Sequence, residues 1–197
     1  MDRGRYEESQ QHLVKALGMG DPTGACRNSF AEWLLRQGIE PGKALHLASQ
    51  VIDESVAEAV RLQTGVDPWY YAKPLALNRA CRSTSWAQRA WALALLGRQQ
   101  EAREAIDEAS QLAVKPDRNL SASSWALVSR LEWQRLADTC WLIGMALLAM
   151  NQAEEAGARF QEGSYVDPTG KYGRLCRKQL ALKAGESRGK PGQPELR

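Results

Sequence analysis

The chain offers few side chains whose type and spacing could do chemistry. Its two histidines, His12 and His46, and its four cysteines, Cys26, Cys81, Cys140 and Cys176, stand singly, without the close pairs that hold a metal. There is no glycine-rich loop to cradle a phosphate and no nucleophile motif. Carboxylates cluster at Glu7–Glu8, at Glu101 and at Glu154–Glu155, each just after a turn and at the start of an apolar-periodic run. There they complement the positive end of a helix, a structural role that argues against catalytic acids. The residues therefore read as a non-enzyme without metal or cofactor. The cysteines read as buried free thiols of a reducing, cytoplasmic compartment rather than as disulfides.

Charge adds a weaker signal. The net charge of +3 is uneven: residues 171–197 hold eight Lys or Arg against two Glu, a local +6 that leaves about −3 for the rest. A basic end of this kind can touch nucleic acid or, weakly, an anionic membrane surface. Only Tyr172 interleaves with the basic residues, which argues against nucleic acid, and the simpler reading is a solvated end. No apolar run approaches the roughly 20 residues of a membrane span, and the N-terminus has no signal-peptide core.

What would position these residues is a recurring helical pattern. Counting Ala137 as position 1, Gly144 falls at 8, Ala156 at 20, Phe160 at 24, Gly163 at 27 and Pro168 at 32. Small residues at Gly144 and Ala156 let two helices approach, Phe160 is the large knob between them, and Asp167–Pro168 stops the second helix. The stretch from Ser85 repeats the pattern with Trp86, Ala90, Gly97, Ala102, Ile106 and Ala109. From Ala25 a first helix ends at Gly38, and a second carries Ala44, Ala48 and Val51 after a turn with one extra residue. From Gly4, only a turn and a second helix can be made out. Second helices are expected over about Arg5–Leu17, Gly42–Leu62, Gln99–Ala113 and Gln152–Tyr165.

This pattern resembles the tetratricopeptide repeat. The resemblance implies an all-α fold, a right-handed superhelical array of antiparallel helix hairpins. The turn positions Gly38, Gly97 and Asn151 are 59 and 54 residues apart, well beyond the family's spacing of about 34. The first helices must therefore be lengthened. Within Trp69–Trp86, Pro74 and the Arg82–Ser85 cluster leave open one long helix or two. After Pro168 a capping helix is expected, with Tyr172, Leu175, Cys176 and Leu180 on its apolar face. Residues 1–184 read as one domain and 185–197 as a polar tail.

In the family, first helices line a concave groove that holds a partner's peptide. The resemblance carries this role to Asn28, Glu32, Arg36, Gln88, Trp91, Leu95, Asp138, Trp141, Leu142 and Met145. Of the Lys, Asn and Arg clamp that some members close on a chain-terminal carboxylate, only Asn28 and Arg36 have a counterpart. Trp91, Trp141 and Met145 would instead make an apolar floor for a helix or short peptide, unless the lengthened helices cover them and make them core. Two functions stay open: a scaffold presenting a groove to a protein or peptide, and a regulatory domain that packs against itself, as a homo-oligomer, or against a larger chain.

Overall fold

The computed structural model describes residues 11, 12, 14, 15, 24–64, 68–115 and 123–188. Among them, every regular element is a helix: α1 Ala25–Gln37, α2 Pro41–Gln63, α3 Pro68–Leu95, α4 Gln99–Leu112, α5 Ser123–Ala149, α6 Ala153–Val166 and α7 Lys171–Arg188. The expected second helices match α2, α4 and α6 to within one or two residues. The one expected over Arg5–Leu17 falls largely outside the described residues, as do Glu7–Glu8. The first four residues of the expected tail, 185–188, are helical, and the rest of it lies outside the described residues.

Three short turns join α1 to α2, α3 to α4, and α5 to α6, and all three are built alike. Gly38, Gly97 and Asn151 take left-handed conformations, with φ of 66°, 76° and 60°. In each turn the next amide reaches back to close the helix end: Ile39 N–H bonds Leu34 O, Arg98 N–H bonds Leu93 O, and Gln152 N–H bonds Leu147 O. These are Schellman turns, which satisfy carbonyls that a helix end leaves bare. The extra residue read in the first turn is Glu40, held at φ 46° ahead of Pro41 at the first helical position. Because a Cβ at Gly97 would meet nothing within 4 Å, Gly97→Ala isolates the backbone cost. It should lower stability by about 1 kcal/mol in urea unfolding, and Gly97→Asn by less, as Asn151 illustrates.

The core runs along the inner helices. Helix α3 packs against α2, α4 and α5, α5 also packs against α6, and α1 meets both α2 and α3. Helices α3 and α5 are 28 and 27 residues long against 13 in α1, so the lengthening expected from the spacing is present. The segment that could have been two helices is one, with Pro74 inside it. Its Ser83, Thr84 and Ser85 are buried and bonded. Thr84 and Ser85 hydroxyls bond the carbonyls of Ala80 and Cys81 one turn back, and Ser83 Oγ lies 2.9 Å from Thr139 Oγ1 of α5. Small polar side chains with satisfied hydroxyls thus let two long helices approach closely.

Helix α7 closes the C-terminal end, packing on α6 and more lightly on α5. Cys176 is buried and Tyr172, Leu175 and Leu180 are half-buried, with Arg174, Arg177 and Lys178 exposed on the other side. That is the amphipathic pattern expected of it. All four cysteines are free. Burial raises the thiols of Cys140 and Cys176, the latter to about 12. None of the described helices is long and apolar enough to cross a membrane.

Candidate binding cleft

The inner helices converge on one cleft of about 300 Å³. Helix α1 supplies Asn28, Glu32 and Arg36, which follow one another at four-residue intervals on one face, α3 supplies Gln88, and α5 supplies Asp138. These are five of the ten residues expected from the repeat register, drawn from three successive hairpins. Helix α5 also contributes Arg135, and α7 reaches across with Lys171 and Tyr172.

A polar bridge ties α1 to α7 over this cleft. Tyr172 donates its hydroxyl to Glu32 Oε2 at 2.6 Å, while Arg36 and Lys171 reach Glu32 Oε1 at 2.7 and 3.3 Å. Glu32 is only 9% exposed, so its charge is tolerable only because it is paired this fully. Arg36 also lies over the Trp141 ring, 4.5 Å from its centroid, and Trp141 and Tyr172 are ring neighbours at 5.8 Å. The Tyr172 phenol is held well above its usual range by burial, and by the carboxylates of Asp138 and Glu32.

Asp138 is the least comfortable group. It is 2% exposed, and its nearest cation, Arg135, is 3.4 Å from Oδ2. Burial first, then the charge of Glu32, raises its carboxyl to about 7 against the opposing pull of Arg135 and Lys171. Asp138 Oδ1, Gln88 Oε1 and Trp141 Nε1 are buried without a hydrogen-bond partner among the described residues. Each such atom costs about 1–3 kcal/mol. Arg82 Nε is a fourth such atom and does not line the cleft.

The other expected residues lie apart from this polar lining. Trp91 and Trp141 are each 4% exposed and meet edge to face at 5.5 Å, and Leu142 is fully buried. These three are core in this fold. Met145 is half-buried against the same core. Leu95 is 41% exposed near the end of α3 and is not in the cleft. Arg135, Lys171 and Tyr172 were not among the expected site residues. Arg135 lies three residues before Asp138, on the lengthened part of α5, and the other two begin the capping helix, about 140 residues from Glu32 in sequence.

His12 and His46 are exposed, and no group of three metal-binding side chains occurs among the described residues. Comparison with family models, with curated proteins and with solved structures gives no match.

Proposed function

We propose that this chain is a non-enzymatic interaction scaffold of tetratricopeptide type, arranged as a right-handed array of hairpins, that holds a peptide segment of a partner protein in the cleft between α1, α3 and α5. The supporting observation is convergence: Asn28, Glu32, Arg36, Gln88 and Asp138, assigned to the groove from the register of separate repeats, meet at one open cleft. The contact surface in this reading is charged and polar rather than apolar, because Trp91, Trp141 and Leu142 are covered. Binding should then weaken as salt rises.

The test fills the cleft without changing its charge. Ser29 is exposed on α1 and lines the cleft, so Ser29→Trp should block a ligand while leaving the fold intact. A partner recovered with the full chain from its native cells should bind Ser29→Trp at least tenfold more weakly, ~1.4 kcal/mol or more, with an unchanged melting temperature. If Ser29→Trp binds normally, and the chain alone forms a tight dimer in sedimentation, self-packing is the better account.

A further inference from the structure

The cleft does not end at α7. On the other side of Arg135 and Lys171 lies a second opening of about 280 Å³, walled by Leu131, Gln134 and Asp167. The two share Arg135, Asp138, Lys171 and Tyr172, and each by itself is near the lower end of the roughly 300–1,000 Å³ usual for ligand sites. The four shared residues are thus a common wall of the two openings.

Charge among the shared residues is locally positive: Arg135 and Lys171 stand against Asp138, two cations to one acid, while Arg36 and Glu32 line the first opening alone and Asp167 the second. Arg36 is committed to Glu32 and to the face of Trp141. Among the described residues Arg135 makes one long bond, to Asp138 Oδ2 at 3.4 Å, and Lys171, which lines the same two openings, shares its ammonium between Glu32 and Tyr172. An arginine fork beside a lysine is suited to a carboxylate.

Building on the peptide-scaffold reading, we infer that the two openings form one groove for an internal acidic stretch of a partner's chain, with an Asp or Glu side chain held by Arg135 and Lys171 and the peptide running on in both directions. A chain end is not required, because the groove continues past the anchor on either side. Proton binding at Asp138 supports the same arrangement. Asp138 faces Glu32 and Arg36 from α1, Arg135 on its own helix, Lys171, Tyr172 and Cys176 from α7, and the neutral Gln88 from α3. Its protonation frees Arg135 from the acid partner it has among the described residues, so an acidic ligand should bind more tightly below about pH 7 than at pH 8.

The experiment uses the full chain and three synthetic probes: an alanine-based peptide blocked at both termini with one central glutamate, the same peptide with glutamine, and an all-alanine peptide with a free C-terminal carboxylate. Side-chain and indole NMR shifts report binding. The blocked glutamate peptide should bind at least ~5-fold more tightly than the glutamine peptide and than the free-ended one. Arg135→Gln or Lys171→Gln should remove that preference, Arg135→Gln with little change in melting temperature and Lys171→Gln with some loss because it also unpairs Glu32, and Asp138→Asn should strengthen binding at pH 8. Equal binding of the glutamate and glutamine peptides, no binding of either, or tighter binding of the free-ended peptide overturns the inference. If a native partner is lost with Ser29→Trp but kept by Arg135→Gln and Lys171→Gln, the scaffold reading stands and the acidic anchor falls.

Discussion

Phe160→Ala should lower the unfolding free energy by about 3–5 kcal/mol, the largest effect expected of any single substitution considered. Phe160 of α6 is 3% exposed, and its ring occupies the space that a side chain at Gly144 of α5 would need. A Cβ at 144 would lie 2.3 Å from Phe160 Cε1 and 2.7 Å from Cζ. Ring and glycine are thus two halves of one contact. Removing the ring leaves a cavity with helix backbone for one wall. The same helix pair is pinned nearby at Gly163, where a Cβ would come within 3.0 Å of Cys140 Cβ and 2.7 Å of Cys176 Sγ, so collapse into the cavity is limited.

The partner substitution, Gly144→Leu, should cost about 1–3 kcal/mol by pushing the ring out. Together the two should be less damaging than their sum by about 0.5–3 kcal/mol, since the leucine then fills what the ring has vacated. Urea unfolding with a constant slope gives all three values. Additive effects, or a Phe160→Ala variant within ~1 kcal/mol of the parent, would mean that α5 and α6 do not meet at these residues.

The parts of this fold that were legible in sequence are those set by local rules. A left-handed turn residue is chemically marked as Gly or Asn, so Gly38, Gly97 and Asn151 could be aligned, and the helices that follow them placed. Gly144 and Phe160 were legible for a related reason: a glycine inside an apolar helix needs a large neighbour to fill the space. Ser83–Ser85 left one helix or two open because their hydroxyls favour turns unless a bond is supplied. Here it comes from carbonyls one turn back and from Thr139, more than 50 residues away.

The site divides in the same way. Asn28, Glu32 and Arg36 follow one another on one helix face, and Gln88 and Asp138 keep the same register in later hairpins, so position along the repeat was enough to gather them. Lys171 and Tyr172 close the cleft through tertiary contact across about 140 residues, which no local pattern carries. Trp91 and Trp141 have the same register as groove residues. What decides their burial is coverage by each other, by Arg36 and by Tyr172.

Asp138→Asn should make the protein more stable at pH 8 and leave it nearly unchanged at pH 4. An unfolded aspartate loses its proton near pH 3.9, whereas burial and Glu32 raise Asp138 in the folded chain to about 7. Between those values the folded state holds a proton that the unfolded state has released. Stability from this group is therefore full below about pH 4, falls as pH rises, and is gone above about pH 7. The whole swing is on the order of 4 kcal/mol, with the opposing pull of Arg135 already contained in the folded-state value. Asparagine cannot ionise, so the variant should lack this part of the pH profile, and the difference between variant and parent reports Asp138 together with its coupling to Glu32. Urea unfolding at pH 4, 6 and 8 measures it. A difference that stays flat with pH, or a variant less stable than the parent at pH 8, would show that Asp138 is ionised and well paired in the fold. The predicted profile has a functional consequence: at neutral pH the chain keeps a strained carboxyl beside Arg135, and a ligand carboxylate that binds Arg135 must compete with it.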